Sequence, residues 1–308
     1  VVYLGHDMIN QNRPVAIKKI KMSNDGGLDI SAIREVKALR ALPRHQNIVE
    51  LVDCFSSATN LQLVLAYYPY DLEKLIKERH IPFSLGDIKS WLRMIVDGLD
   101  HLHGNFFLHR DLKPSNILLG EDGVARIGDF GLARVITISG VEEAIAVTAM
   151  TSQVVTRWYR APELLFGARD YSGAVDVWAV GCIFAELLLR TPFLPGDSDI
   201  NQLQLMTKAL GSPSVDDVKY FKQLPDYIDL PEQTAPGLSA IFPAVPGDAL
   251  DLLGRMLTWN PNNRIAVADI LKHPFLTNPS PKPTAPHLLP KPGKVPDPAG
   301  LIPKRLFT

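Results

Sequence analysis

The chain has 308 residues, of which 46% are hydrophobic and 21% are charged. This composition is close to the globular average and excludes a disordered, collagen-like or coiled-coil chain. At roughly 150 residues per domain, the length predicts one large domain or two smaller ones. Lys plus Arg number 32 and Asp plus Glu 33, so the chain has no overall positive field, and we expect neither direct nucleic-acid binding nor membrane binding.

Three further features bear on the compartment. The longest apolar stretch, 177–189, contains one glutamate and is flanked by charged residues, which makes it too short and too charged to cross a bilayer. No basic segment followed by an apolar one opens the sequence, so we expect no secretory signal. The two cysteines, Cys54 and Cys182, are far apart and follow no metal-ligand spacing. We expect both to be buried, reduced thiols, as in a cytosolic or nuclear protein.

The first 66 residues are typical of β-structure. Runs rich in aliphatic and β-branched residues at 15–17, 48–52 and 61–65 are separated by polar turns, which predicts three strands. Between the first two runs, apolar residues within 32–42 recur at helical spacing behind the polar stretch 23–27. This pattern predicts one helix preceded by a loop.

Helical patterns follow from residue 67 onwards. Between Ile88 and Leu102 the apolar residues lie on one face, and 175–189 is apolar nearly all round, as expected of a helix at the centre of a domain. From 278 to 308, nine of the 31 residues are proline, which predicts an extended tail without helix or sheet. The coarse prediction is a small β-rich unit, a larger helical unit and a tail.

The most informative stretch, 109–116, reads His-Arg-Asp-Leu-Lys-Pro-Ser-Asn. It fits the catalytic-loop pattern H-R-D-L-x-x-x-N at every fixed position. An Asp and an Asn five residues apart on a rigid loop can orient an attacking hydroxyl and hold a metal ion, while a Lys between them can neutralise charge on a transferring phosphate. Taken alone, the stretch is also compatible with a solvated, charged loop after a helix.

Three more motifs occur in the order that protein kinases show. Residues 15–18 read Val-Ala-Ile-Lys, residues 129–131 read Asp-Phe-Gly, and residues 161–163 read Ala-Pro-Glu. The tripeptide Asp-Phe-Gly alone is common, but chance is a poor explanation for four motifs in the correct order.

On these residues, the chain resembles the eukaryotic protein kinases of the cyclin-dependent type over 1–277. Residues 31–35, Ser-Ala-Ile-Arg-Glu, are similar to the end of the helix that contacts the cyclin in that family, and 193–199 with 153–167 are most similar to the CDK-activating kinases. The resemblance implies an α+β, bilobal protein-kinase fold. Its parts would be a small β-rich N-lobe at 1–66, a larger α-helical C-lobe at 67–277 with an activation segment at 129–163, and a proline-rich extended tail at 278–308.

The resemblance also implies the catalytic residues and the cofactors, ATP and Mg²⁺. Lys18 would hold the α- and β-phosphates of ATP and pair with Glu35. Asp111 would accept the proton of the substrate hydroxyl, and Lys113 would contact the γ-phosphate.

Magnesium would be bound by Asn116 and Asp129. The resemblance further implies a set of residues around the adenine and ribose, with Leu65 as gatekeeper and hinge hydrogen bonds from backbone groups: Val2, Ala16, Leu65, Tyr67, Tyr68, Asp71 and Leu118. For isolated apolar residues of this set, packing in the core is an equally good interpretation.

Regulation and bracing follow from the same resemblance. Arg34, Arg110 and Arg134 lie in separate motifs and would form one basic pocket for a phosphate on Thr151, with a neighbouring threonine and serine as alternative acceptors. Glu163 would pair with Arg264 and fix the activation segment.

Two departures from the family pattern stand out. The glycine-rich loop should precede Lys18 by about 16 residues, but the sequence opens at Val1-Val2. We therefore expect the first strand and this loop to be missing, through a truncated sequence rather than natural loss. The activation segment is also longer than in the family, with 138–144 as the apparent insertion.

The sequence therefore predicts a cyclin-dependent serine/threonine kinase acting on Ser-Pro or Thr-Pro sites, such as the RNA polymerase II C-terminal repeats or the activation loops of cell-cycle kinases. Implied partners are a cyclin, an assembly factor and the transcription factor IIH complex, in the nucleus and secondarily in the cytoplasm. One alternative is a mitogen-activated-type kinase, although residues 151–153 read Thr-Ser-Gln where those enzymes carry T-x-Y. Another is a catalytically impaired binding module that lacks the glycine-rich loop.

Overall fold

The computed structural model describes residues 1–21, 30–57, 60–137, 140–141 and 157–293. The strands are β1 (Val2–Asp7), β2 (Arg13–Lys21), β3 (Leu51–Ser57), β4 (Asn60–Ala66), β5 (Tyr70–Asp71), β6 (Phe107–Leu108), β7 (Ile117–Leu119), β8 (Ala125–Ile127), β9 (Arg134–Thr137) and β10 (Gly140–Val141). The helices are α1 (Ile30–Ala41), α2 (Leu72–Lys77), α3 (Leu85–Gly104), α4 (Pro162–Leu165), α5 (Ala174–Leu189), α6 (Asp199–Leu210), α7 (Val215–Phe221), α8 (Leu238–Ile241), α9 (Gly247–Met256), α10 (Val267–Ile270) and α11 (Pro274–Thr277).

The N-terminal part forms an antiparallel sheet in the order β1-β2-β4-β3. Within it, Val15 and Leu63 are buried, as expected where apolar and polar residues alternate along a half-buried strand. Helix α1 buries Ala32 and Ala38. The strands predicted at 15–17 and 61–65 and the helix predicted within 32–42 are confirmed.

The strand predicted at 48–52 is wrong for most of its length, since β3 begins only at Leu51. Ile48 and Val49 are buried, but the Val49 amide donates to the Ile127 carbonyl at 2.9 Å, and Ile48 forms an isolated parallel bridge to the same residue. The apolar character of these two residues therefore serves the contact between the two lobes, not the sheet. In a sequence, a short apolar run that is buried in a sheet looks the same as one that is buried between two lobes.

Helices α3 and α5 form the centre of the C-lobe. A capping box between Ser84 and Asp87 begins α3, and nearly every residue of α5 is buried, including Trp178 and Phe184. Two small sheets, in the orders β5-β7-β8 and β10-β9-β6, lie beside the helices and were not predicted, because strands of two to four residues leave no periodic pattern. No helix in the described ranges has the length and apolar character needed to cross a membrane.

The two cysteines differ in their environments. Both are free thiols, but only Cys182 is buried; Cys54 is half-buried and its Sγ lies 2.9 Å from Nη2 of Arg40. The expectation of two buried thiols is therefore wrong for Cys54, because β3 is an edge strand of the sheet. Burial raises the pKa of the Cys182 thiol well above its usual value.

The described part of the tail, 278–293, packs against the C-lobe. It contains a short 3-10 turn at Pro286–Leu288, and Leu289 is buried in the core. Its remaining residues form neither helix nor sheet, as the prolines predicted. Residues 294–308 lie outside the described ranges.

A fully buried ion pair joins α4 to the rest of the C-lobe, as the sequence predicted. Arg264 donates from Nη1 to Oε1 of Glu163 at 2.8 Å and from Nη2 to Oε2 at 3.0 Å, and both side chains are 0% exposed. The same guanidinium donates to the carbonyls of Ala174 and Trp259. This fork fixes the start of α4 to the start of α5.

We expect Glu163→Gln to lower the free energy of unfolding by about 3–5 kcal/mol, because it leaves the buried Arg264 cation without a counter-charge. Guanidinium-induced unfolding measures this change. The control is Asp269→Asn, which removes an exposed pair with Lys272 and should change stability by less than about 1 kcal/mol. Equal, small effects of the two substitutions would contradict the structural role of the buried pair.

Candidate active site

A lysine on the sheet contacts two carboxylates from other parts of the chain. Nζ of Lys18, on β2, lies 2.8 Å from Oε2 of Glu35 and 2.9 Å from Oδ1 of Asp129. Glu35 lies on α1 and is 1% exposed, whereas Asp129 follows β8 of the C-lobe. The structure thus brings together residues from three of the sequence motifs, at the junction of the two lobes.

The charges of this cluster support one another. Burial acts to lower the pKa of Lys18, but Glu35 and Asp129 outweigh it and hold this pKa above its usual value. Burial acts to raise the pKa of Asp129, and the Lys18 ammonium outweighs it, so this pKa is lowered. For Glu35 burial prevails and its pKa is raised, although Lys18 opposes the shift. Lys18 is therefore a cation, and Asp129 is a carboxylate at neutral pH.

The catalytic-loop residues form a second cluster. Nζ of Lys113 lies 2.8 Å from Oδ2 of Asp111. Nδ2 of Asn116 donates to the Asp111 carbonyl at 2.7 Å and to Oδ2 of Asp111 at 3.2 Å. The predicted base, the predicted γ-phosphate contact and one predicted metal ligand therefore contact one another directly.

Asp176, in the first turn of α5, holds the backbone of this loop. Its carboxylate is 1% exposed and accepts from the His109 amide at 2.9 Å and the Arg110 amide at 2.7 Å. Burial acts to raise the pKa of Asp176, but the hydrogen bond from His103 and the nearby imidazoles outweigh it and lower this pKa. Sequence reasoning did not assign this residue. The available signal was a lone carboxylate at the start of an almost wholly apolar helix.

The backbone around both clusters adopts an unusual conformation. Arg110 has φ +67° and Asp129 has φ +60°, values that side-chain-bearing residues adopt at a cost and that concentrate at functional sites. His109 is fully buried, and its Nε2 lies 3.0 Å from the Gly128 carbonyl. Its ring also meets that of Phe130 edge-on, with centroids 5.1 Å apart. His109 therefore links the catalytic loop to the backbone on either side of Asp129.

A cavity of about 510 Å³ lies between the two clusters. Its lining contains Val2 and four polar residues of the predicted site, Lys18, Glu35, Asp111 and Asp129. The other lining residues are Val1, Lys19, Ile20, Ser31, Gly131 and Leu132. The cavity joins a cation to carboxylates from both lobes, an arrangement that suits a polyphosphate bound through a metal ion.

The remaining predicted nucleotide residues do not line this cavity. Ala16 and Leu65 are paired across β2 and β4, and Leu118 is paired with Asp71 across β7 and β5. Asp71 also caps α2, because its Oδ1 accepts from the Lys74 amide at 2.8 Å.

The two predicted hinge tyrosines, Tyr67 and Tyr68, line a separate, smaller cavity of about 280 Å³. The ring of Tyr68 lies under the Arg126 guanidinium, 4.6 Å from its carbon. The roles assigned to these six residues remain predictions.

The predicted phosphate pocket is supported through its backbone only. Arg134 is paired with Leu108 across β9 and β6, two residues before Arg110, and α1, which carries Arg34, packs against residues 130–132. Nε of Arg134 is buried and has no hydrogen-bond partner among the described residues. The predicted acceptor, Thr151, lies outside the described residues.

The residues at the cavity fit a magnesium ion. In the described ranges no three His, Cys, Asp or Glu side chains form a metal cluster, but Mg²⁺ is commonly held by one or two carboxylates together with substrate phosphates and water. Asp129 supplies a carboxylate whose side chain is 47% exposed. Because Asp111 engages the amide nitrogen of Asn116, the amide oxygen is the atom that a cation would use.

Comparison with known proteins gives a consistent result. The protein kinase domain model matches residues 1–276. Serine/threonine-protein kinase crk1 of Schizosaccharomyces pombe is 47% identical over 296 residues, which cover 95% of this chain and 85% of that protein. Cyclin-dependent kinase D-1 of Arabidopsis thaliana is 47% identical over 293 residues, covering 95% and 71%.

A solved structure of the CAK complex from Chaetomium thermophilum bound to ATP-gamma-S contains a chain that superposes with a TM-score of 0.84. The two chains are 42% identical, and the match covers 95% of this chain and 91% of the other. These similarities confirm the predicted bilobal fold and the cyclin-dependent resemblance, and they do not favour the mitogen-activated alternative. The chain therefore belongs to the protein kinase family, among its cyclin-dependent serine/threonine kinases.

Proposed function

We propose that this chain transfers the γ-phosphate of ATP to serine and threonine hydroxyls of proteins, with Mg²⁺ as its metal. The observation that carries the proposal is the Lys18 ammonium between Glu35 and Asp129. A kinase-fold binding module would not need this cation held between two carboxylates beside an intact catalytic loop. The complete polar set therefore argues against the impaired alternative.

Each residue of the two clusters has a part in the proposed reaction. Lys18, fixed by Glu35, would bind the α- and β-phosphates, while Asn116 and Asp129 would hold the metal. Magnesium would supply positive charge that offsets the charge of the phosphates. The Asp111 carboxylate would accept the proton of the substrate hydroxyl as that oxygen attacks the γ-phosphorus. Lys113, 2.8 Å from Asp111, would bind the γ-phosphate and balance its charge.

A cyclin is the proposed activating partner. Ile33 on α1 is 45% exposed although its neighbour Ala32 is fully buried, so the outer face of α1 presents an apolar side chain. Because the same helix carries Glu35, a partner on α1 would act on the Lys18 pair. An assembly factor, the transcription factor IIH complex, activation by phosphate on Thr151 and a nuclear location are proposed from the resemblance.

The proposed substrates are proteins with Ser-Pro or Thr-Pro sites, such as the RNA polymerase II C-terminal repeats or the activation loops of cell-cycle kinases. Val155 and Arg157 are the family positions that shape the pocket for the proline. Val155 lies outside the described residues, and Nε of Arg157 lies 2.6 Å from Oδ1 of Asp199. This ion pair fixes the Arg157 side chain next to α6.

We expect Asp111→Asn to reduce phosphoryl transfer at least about 100-fold, because the amide cannot accept the hydroxyl proton, without unfolding the chain. Transfer of radiolabelled phosphate from ATP to a Ser-Pro peptide, with and without a cyclin, measures the effect. The control is Asp216→Asn, which removes an exposed pair with Lys219 on α7 and should leave the rate unchanged. Full activity of Asp111→Asn would sink the assignment of the base.

A second prediction concerns nucleotide binding. A ligand that binds only the folded state raises its stability, so Mg²⁺ with ATP should raise the melting temperature of the wild-type chain. Asp129→Asn should remove the magnesium-dependent part of this rise, because the amide is a weaker ligand and a poorer partner for Lys18. Thermal-shift titration of ATP with and without Mg²⁺ tests this, with Asp216→Asn as control. A rise of equal size in Asp129→Asn would exclude Asp129 as a metal ligand.

A further inference from the structure

We propose that residues 278–293, here called the C-terminal strap, position the metal-binding residues by holding the closed end of the β7–β8 hairpin. The inference rests on the proposed function of Asn116 and Asp129 as magnesium ligands. The strap follows the region matched by the kinase-domain model, which ends at residue 276. It lies on the C-lobe surface and does not contact the cavity between the lobes.

The two proposed ligands lie at the open end of this hairpin. Asn116 immediately precedes β7, and Asp129 comes two residues after the end of β8. The strands pair from Ile117 with Ile127 to Leu119 with Ala125, and the Gly128 amide donates to the Asn116 carbonyl at 2.8 Å. The spacing between the two ligands is therefore set by the pairing of the hairpin.

The first part of the strap is fixed to the beginning of α3. Lys89 is 1% exposed, and its Nζ donates to the carbonyls of Asn278 at 2.5 Å and Pro281 at 3.1 Å. The Ser90 hydroxyl donates to the Thr284 carbonyl at 2.8 Å. Because a proline-rich segment has few amide donors, it is held through its carbonyls, and a buried ammonium with three donors is well suited to this.

The second part of the strap contacts the turn that closes the hairpin, residues 120–124. Gly123 has φ +78°, and a Cβ at this position would collide with the carbonyl oxygen of Pro286. The Lys291 ammonium donates to the Glu121 carbonyl, and Leu289 between these contacts is 4% exposed. The turn is therefore in close backbone contact with the strap on one side.

The strap adds to the support that the hairpin receives from α3, which packs against β8. Each of its strands has three residues, and a short two-stranded hairpin is marginally stable by itself. On the sheet, β7 has one other neighbour, the two-residue β5. Contacts at the closed end limit distortion of the strand pairing, and such distortion would change the separation of Asn116 and Asp129 at the other end. The strap thus acts on the metal site through the hairpin.

Two strap variants and one matched control test the inference. Gly123→Ala forces the turn away from Pro286 and strains a positive φ, whereas Lys291→Ala removes only the exposed ammonium at Glu121. Lys272→Ala removes an exposed lysine whose partner is Asp269, outside the strap and the hairpin. The readouts are hydrogen exchange of the amides of 117–128 and the Mg²⁺ concentration that gives half of the thermal shift produced by a non-hydrolysable ATP analogue.

We expect Gly123→Ala to speed exchange in 117–128 and to raise the Mg²⁺ midpoint about tenfold, as is typical when a residue supporting a metal ligand is changed. Lys291→Ala should shift both readouts in the same direction by less, and Lys272→Ala should shift neither. A lower melting temperature with an unchanged midpoint in both strap variants would show that the strap only stabilises the fold, and would overturn the inference.

If Gly123→Ala does not fold, Lys291→Ala decides alone: unchanged exchange and an unchanged midpoint overturn the inference. The proposed function has its own readout in the wild-type chain. If its thermal shift does not depend on Mg²⁺, the metal assignment fails and the inference fails with it. If the wild type depends on Mg²⁺ and the strap variants match it, the inference alone fails.

Discussion

The ion pairs of Lys18 are the interaction on which the arrangement of the site depends. One ammonium joins β2 of the sheet, α1 beside it and Asp129, which lies two residues beyond β8 in the other lobe. Glu35 is 1% exposed, and a carboxylate so deeply buried is costly unless it is paired. The position of α1 is therefore tied to Lys18. A movement of α1 would shift Glu35 relative to Lys18 and so alter the electrostatic environment of the Lys18–Asp129 pair.

In the C-lobe, too, buried carboxylates hold separate segments of the chain together. Asp176 and Glu186 stand at the two ends of the apolar helix α5, where Asp176 accepts from the catalytic-loop amides and Glu186 accepts from the Tyr159 hydroxyl at 2.6 Å. Glu163 is paired with Arg264 beside the same helix. The core helix thus carries acceptors for the catalytic loop and for the short 3-10 turn Arg157–Tyr159, and this fixes segments that propensity alone leaves undetermined.

The sequence predicts much of this site because the chemistry demands particular residue types at fixed spacings. Lys18, Asp111 and Asp129 were assigned from motifs, and the structure brings them together around one cavity. Contacts between distant segments were harder to predict from the sequence. Ile48 reads as part of a strand but bridges to Ile127 of the other lobe. The proline-rich composition of the tail does not reveal that Lys89 donates to the carbonyls of Asn278 and Pro281.

The arginines of the proposed phosphate pocket show why an anion would be bound there. In the described residues Arg110 donates to two neutral acceptors, the Leu132 carbonyl at 2.7 Å and the Tyr171 hydroxyl at 2.6 Å, and Nε of Arg134 is buried without a partner. An arginine can also donate two parallel hydrogen bonds to one phosphate, which adds both energy and geometric specificity. A phosphate would replace neutral acceptors and use an unsatisfied donor at once. Because Leu132 lies three residues after Asp129, binding there would bear directly on the backbone that carries the Lys18 partner.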